Sequence, residues 1–333
     1  MPSALVTGAT GLVGSHLVER LREDGWRVRA LVRRPDGAGW LTDLGVELAV
    51  GDVLDRDAFT RAARGTEVIF HSAAMITPRR NDYDEYRIPN VEGTRNAIDA
   101  AAASGARLLQ VSSVAVYGPE ARYDVTPTDE SKDTKPLPEG AFYARSKRES
   151  EQLVRDAHAS GRVWATVVRP DVIYGRRDRQ FTPRVARLLR FGFFPLINGG
   201  RTTVPVVHAG NVADGAVRAV TTDAAAGQAY NLANDYDVTV ARFIALAAEG
   251  LDRRVVTVNV PYGAAKHAVE AMRAVIAIVS GNSVAQHAGG SLAFLSRDNP
   301  FTSERARREL GWSPPVRPEV GIPESYRWWR EHR

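Results

Sequence analysis

Along the first 170 residues, short runs of consecutive apolar residues alternate with stretches in which apolar positions recur every three or four. Runs of the first kind suit strands buried on both faces, and the second spacing gathers apolar side chains on one face of a helix. Residues 4–6 read as a strand, and 12–23 as a helix with Leu17, Val18 and Leu21 on its inner face, stopped by Gly25. Strands follow at 28–32, 47–50 and 67–71, with Asp55 or Asp57 placed to cap a short helix between the last two. Residues 90–104 and 141–159 predict helices, and 108–111 and 164–168 the fifth and sixth strands. Such alternation predicts an α/β chain built on a doubly wound parallel sheet.

The alternation breaks after Arg169-Pro170, giving way to an apolar, arginine-rich stretch at 181–195 and a turn at Gly199-Gly200. A strand at 204–207 and a helix at 211–220 return to the sheet, whereas 239–250 and the tail from 298 read as peripheral. The expected organisation is therefore a domain of residues 1–170 rejoined by 204–234, with a smaller, mainly C-terminal lobe formed by 171–203 and 235–333. At 333 residues the chain is long enough for two fused domains. Segment 266–279 is apolar on most faces and suits a buried helix or a lid over an apolar pocket.

The chain has no cysteine, which removes disulfides, thiolate metal sites, iron-sulfur clusters and cysteine nucleophiles. A reducing compartment fits, and a cytoplasmic location is expected. The 44 basic and 39 acidic residues are spread along the chain, so no nucleic-acid partner is expected. The apolar stretches are too short to span a bilayer, and no membrane partner is expected either. The seven histidines are scattered, no cluster has metal-ligand spacing, and His71 and His208 read as packed structural residues. Lysine occurs only four times, at Lys132, Lys135, Lys147 and Lys266, which draws attention to each.

Gly8, Thr10, Gly11, Leu12, Val13 and Gly14 lie where the first strand hands over to the first helix. Glycines there let the backbone turn tightly and approach a pyrophosphate, whose charge suits the unpaired N–H groups of the helix N-terminus. The next strand ends in Arg33-Arg34 rather than in an acidic residue that would hold a ribose 2′-hydroxyl. A guanidinium there matches a 2′-phosphate, so NADP(H) is expected over NAD(H), with Arg33 as its contact. Tyr143 and Lys147 stand one helical turn apart on one face. The ammonium is expected to lower the pKa of the phenol and equip it to exchange a proton with a substrate oxygen. Ser113 leaves the fifth strand at its carboxyl end, the edge where open α/β sheets bind ligands.

Seven pieces in this order resemble an extended short-chain dehydrogenase/reductase of the NAD(P)-dependent epimerase/dehydratase superfamily. They are Thr7 to Gly14, Gly51-Asp52-Val53, His71 to Ala74, Asn90 to Thr94, Ser112 to Gly118, Tyr143 to Lys147, and Arg169-Pro170. The resemblance implies a Rossmann-type sheet with a smaller substrate-binding lobe. It also implies that Gly8, Gly11, Leu12 and Val13 line the pyrophosphate, Asp52 and Val53 the adenine, Ala73 and Ala74 the nicotinamide ribose side, and that Pro170 packs near the nicotinamide. Ser113, Tyr143 and Lys147 match the catalytic set, Lys147 also holding the nicotinamide ribose. A homodimer is common among such proteins, although no interface is legible in the chain.

Within that group, Val114-Ala115 stand where 4,6-dehydratases carry an acidic residue, and Asp171 stands where many epimerases place an asparagine. The stretch Val207 to Ala213 resembles the dihydroflavonol reductase and 3β-hydroxysteroid dehydrogenase branch. Phe191, Phe193 and Phe194 suit a hydrophobic carbonyl or alcohol substrate. The expected activity is NADPH-dependent ketone or aldehyde reduction, or the reverse alcohol oxidation. A sugar-nucleotide epimerase or reductase is the alternative, and a non-catalytic cofactor sensor a third reading that the Ser-Tyr-Lys set disfavours.

Overall fold

A computed structural model describes residues 1–80, 82–119, 121, 127–132, 134–233, 235–268, 270 and 296–333. Its main strands are β1 (Ser3–Thr7), β2 (Arg27–Val32), β3 (Glu47–Val50), β4 (Val68–His71), β5 (Arg107–Val111), β6 (Ala165–Pro170), β7 (Phe193–Ile197), β8 (Ala229–Leu232) and β9 (Val256–Val260). The main helices are α1 (Leu12–Glu23), α2 (Arg56–Ala63), α3 (Gly93–Ser104), α4 (Phe142–Ala159), α5 (Phe181–Leu189), α6 (Ala209–Thr221), α7 (Val240–Gly250), α8 (Glu304–Leu310) and α9 (Pro318–Glu331). They pack into two compact units, the first comprising Met1–Ile173, Val207–Asp235 and Phe301–Val316, and the second Tyr174–Val206, Tyr236–Pro300 and Arg317–Arg333.

The first unit is a seven-stranded parallel sheet in the order β8-β6-β5-β4-β1-β2-β3. Alternate side chains of each strand enter different cores. Ala4 and Val6 pack with Leu17 and Leu21 of α1 and Val212 of α6, whereas Leu5 packs with Phe59, Ala97 and Val154 beneath the other face. Cover on both faces is what makes these strands read as apolar runs rather than as alternating ones. The chain runs outward from β1 to β3 and then returns to β4 on the other side of β1, which opens a crevice at the carboxyl ends of β1 and β4. In register, Thr7 lies opposite His71, His71 opposite Gln110, and Val111 opposite Val168.

Three expectations are corrected here. The strand expected at 204–207 to rejoin the sheet is instead Val206–His208, which pairs with Val172–Tyr174 in a separate two-stranded sheet, and the strand that completes the main sheet is β8. The helix expected at 90–104 instead starts with a π turn, Ile88–Glu92, before α3. Pro89 has no N–H to donate within that turn. Residues 301–316, expected in the smaller lobe, belong with the sheet. Leu310 and Trp312 share the core of Tyr230 and Leu232, and Trp312 Nε1 donates to the Asn211 carbonyl at 3.1 Å. Asn211 Oδ1 also accepts from the Val316 amide at 2.8 Å.

In the second unit α7 and α9 approach so closely that a Cβ at Gly250 would sit 2.4 Å from the Pro323 carbonyl oxygen. Phe243 meets the rings of Tyr174, Phe181 and Tyr326 at 6.0, 5.7 and 6.2 Å between centroids. The arginine-rich stretch at 181–195 resolves into α5 and β7. Strands β7 and β9 pair in parallel, Val256 opposite Phe193 and Val258 opposite Pro195. Of the apolar segment 266–279, residues 269 and 271–279 lie outside the described residues.

Candidate active site

The loop after β1 has the shape a dinucleotide pyrophosphate needs. Gly8 takes φ +70°, and a Cβ there would lie 2.8 Å from the Ala73 amide nitrogen. At Gly14 a Cβ would lie 2.1 Å from the Gly8 carbonyl oxygen, so any side chain there would drive α1 off the loop. Gly11 is the N-cap of α1 in extended conformation, and no side chain caps the helix. The opening turn therefore keeps backbone N–H groups for an anion, next to exposed Thr10 and Gly11 and half-buried Leu12 and Val13. These residues fit the phosphates of a nicotinamide dinucleotide.

Exposed Arg33, one residue beyond the end of β2, stands with its Nε 3.9 Å from an Asp52 carboxylate oxygen. Half-buried Val53 is fixed by its carbonyl, which accepts from Asn96 Nδ2 at 2.9 Å. Ala73 and Ala74, also half-buried, leave β4 beside the loop, the Ala73 amide donating to Thr7 Oγ1 at 3.3 Å. Pro170 is buried as the last residue of β6.

The structure brings Ser113, Tyr143 and Lys147 together where β5 ends against α4. Ser113 Oγ accepts from the Ala115 amide at 3.1 Å, which leaves its own proton to be donated. Lys147 is buried and its ammonium donates to the Val111 carbonyl at 2.9 Å. Burial lowers its pKa to about 8, against the pull of Glu151, which raises it. The expectation of an acidified phenol is corrected: burial pushes Tyr143 up to about 12, with the Ser113 hydrogen bond opposing it. The cost of a buried phenolate outweighs the single hydrogen bond that would favour it. His71, at the end of β4, is likewise held neutral, its pKa lowered to about 3 by burial and then by the Lys147 charge, with Nδ1 2.9 Å from Thr7 Oγ1.

A buried polar network behind this set is absent from the sequence reading. Glu151, one turn beyond Lys147 on α4, pairs with the Arg169 guanidinium through both carboxylate oxygens and accepts from Ser112 Oγ at 2.8 Å. Arg169 Nη1 also donates to Tyr117 Oη at 2.7 Å, and Tyr117 donates to Asn231 Oδ1 at 2.9 Å. Lys147 and Glu151 thus hold consecutive residues, Val111 and Ser112, just before Ser113. The signal open to a reader was an acid four residues after a lysine on a helix. Asn90, buried in the π turn, accepts from the Met75 amide at 2.6 Å and donates to the Met75 carbonyl at 3.0 Å and to Ser146 Oγ at 2.9 Å. It braces the chain after β4 against the turn of α4 that carries Tyr143.

Comparison with known proteins gives the family of the chain. Residues 4–233 match the NAD dependent epimerase/dehydratase family. The chain is 30% identical over 320 residues to a 4-hydroxy-2-methyl-3-oxo-4-farnesyl-3,4-dihydroquinoline-1-oxide ketoreductase of Stigmatella aurantiaca, covering 95% of this chain and 93% of that one. It is 29% identical to 3beta-hydroxysteroid-dehydrogenase/decarboxylase isoform 2 of Arabidopsis thaliana, over 96% of this chain and 60% of that protein. The crystal structure of gox2253 superposes with a TM-score of 0.75 at 28% identity, covering 100% of this chain and 99% of the other. The chain belongs to the NAD dependent epimerase/dehydratase family, as an extended short-chain dehydrogenase/reductase. It is an enzyme with nicotinamide-dependent chemistry.

Proposed function

We propose that the enzyme reduces a ketone or aldehyde carbonyl on a lipophilic small molecule, or oxidises the corresponding alcohol, with NADP(H) preferred over NAD(H). The observation that carries this reading is the buried Lys147, one helical turn after Tyr143 on α4, whose ammonium donates at 2.9 Å to the Val111 carbonyl two residues before Ser113. When bound, the reduced nicotinamide would supply a hydride to the carbonyl carbon. Gly8, Gly11, Leu12 and Val13 would hold its pyrophosphate, Asp52 and Val53 the adenine, and Ala73, Ala74 and Pro170 the nicotinamide end. Arg33 would meet a 2′-phosphate.

Tyr143 gives its proton to the carbonyl oxygen as the carbon–oxygen π bond opens. Ser113 donates to the Tyr143 oxygen and so stabilises the phenolate left behind. Lys147, already stripped of water, adds its positive charge on the same side. A phenol held up at about 12 stays protonated at neutral pH, which suits it to act as the acid of a reduction. Support for a lipophilic substrate comes from the farnesylated quinoline and the hydroxysteroid in the names of the two relatives. The phenylalanines contribute less, since Phe194 is core and Phe191 and Phe193 are exposed on the second unit.

Replacing Tyr143 by Phe should lower kcat for NADPH-dependent carbonyl reduction by ~10²–10⁴-fold while cofactor binding persists. Full activity in that variant would refute the assignment. Arg33→Asp should raise KM for NADPH far more than for NADH, and equal effects would remove the 2′-phosphate contact. Formation of an epimer from a UDP-sugar, without net cofactor turnover, would replace the reductase reading by an epimerase.

A further inference from the structure

The small sheet of the second unit carries apolar side chains on its outer face as well as on its inner one. Its register puts Phe193 with Val256 and Pro195 with Val258 on one face, and that face is open, with Phe193 48%, Val256 64% and Val258 44% exposed. Phe191 and Leu188 beside β7 are 70% and 54% exposed. Phe194 and Leu196, on the alternate positions of β7, are buried, so the core side of that strand is already satisfied, while Thr257 and Asn259 opposite them on β9 are exposed. Scattered exposed apolar residues mean little, but neighbours on one face form a patch of the kind that marks an interaction surface.

The charge around this patch is predominantly positive. Residues 179–213 contain five arginines and no acid, and residues 253–260 contain two arginines and no acid. Both strands start at the same end because they run parallel, so Arg187 and Arg190 before β7 meet Arg253 and Arg254 before β9 there. Arg253 Nη1 donates to the Arg190 carbonyl at 3.1 Å, and the Arg190 guanidinium lies 4.6 Å from the centre of the Phe191 ring. Arg190 and Arg253 also line a cavity of about 330 Å³ with Arg187, Arg330 and Arg333, where Asp252 is the acid among the described lining residues. Aromatic and aliphatic side chains edged by arginines match the layering of a lipid interface, with acyl chains under anionic headgroups.

We propose that this face docks the enzyme on an anionic lipid surface, with Phe191, Phe193, Val256 and Val258 in the acyl region and Arg187, Arg190 and Arg253 on the headgroups. The contact lies in the plane of the interface, since no helix among the described residues is long and apolar enough to cross a membrane. It replaces the expectation of no membrane partner and is independent of the reaction proposed above.

The test is flotation of the full-length chain with phosphatidylcholine vesicles, with and without about 30 mol% phosphatidylglycerol. Co-flotation is expected only with the anionic vesicles, and raised salt should release it. Phe191→Ser with Phe193→Ser should lower partitioning at least ~10-fold with little change in Tm, since both side chains are exposed. Arg187→Gln with Arg190→Gln should lower it by about fivefold per arginine. The proposal is overturned by absence of flotation, by equal flotation with neutral vesicles, or by both double variants binding like the parent. It is also overturned if light scattering shows a dimer that Phe191→Ser with Phe193→Ser splits while vesicle binding is absent, because the patch then joins two copies of the chain. Loss of carbonyl reductase activity in Tyr143→Phe leaves flotation unchanged, so the two readings fail separately.

Discussion

The region around Lys147 and the sheet of β7 and β9 break the same rule in opposite directions. In the first, an ammonium, a carboxylate and a guanidinium are buried; in the second, phenylalanine and valine face outward. The buried charges come with their partners: Glu151 meets Arg169 and Ser112, and Lys147 meets the Val111 carbonyl. Among the described residues no such cover is seen over the apolar face, whose charged neighbours are mostly arginines. A buried charge that is fully paired points inward to chemistry, and an apolar face edged mainly by arginines points outward to a partner.

The contrast is sharpest in stability. Glu151→Ala should cost roughly 3–5 kcal/mol in urea unfolding, because it leaves Arg169 buried without its counter-charge. Replacing Glu151 by Gln together with Arg169 by Met should cost clearly less than Glu151→Ala, and an equal loss would deny that the uncompensated charge is the cause. Gly8→Ala comes next. Its φ of +70° and the 2.8 Å approach to Ala73 predict a loss of roughly 1–3 kcal/mol, together with weaker dinucleotide binding by calorimetry.

His71 tests burial through pH. Its folded pKa of about 3 lies below the ordinary 6.5, so between those values the unfolded chain binds the proton and the folded one does not. Stability should therefore fall as pH is lowered from 6.5 towards 3, at up to about 1.4 kcal/mol per unit. His71→Asn should flatten that limb, and an unchanged slope would assign it to other groups. The smallest effect belongs to the open face: Val256→Thr with Val258→Thr should stay within about 0.5 kcal/mol per site of the parent. A larger loss would mean that these valines serve the core after all.

What the sequence disclosed follows the same division. Strands covered on both faces, a glycine loop and a Tyr-Lys pair at one-turn spacing are local patterns, and each was legible from neighbouring residues. The pairing of Glu151 with Arg169 was not, because it joins α4 to β6 and leaves no period to read. Nor was the rise of the Tyr143 pKa, since spacing reveals a charge nearby but not the depth of burial that outweighs it. The tail at 301–316 was assigned to the wrong unit for a related reason: Trp312 and Leu310 look like ordinary helix residues until the core they complete is seen. The open face of β7 and β9 is written in the sequence as alternating valines, but periodicity alone cannot say which side of a strand meets solvent.

The hydrogen bond from Lys147 to the Val111 carbonyl has a consequence in time. Its ammonium sheds most of its hydration shell as the chain folds, once in the lifetime of the molecule, rather than at every turnover. Little solvent then needs to rearrange around that charge when substrate arrives, and the first catalytic cycle of a freshly folded enzyme should run as fast as the thousandth.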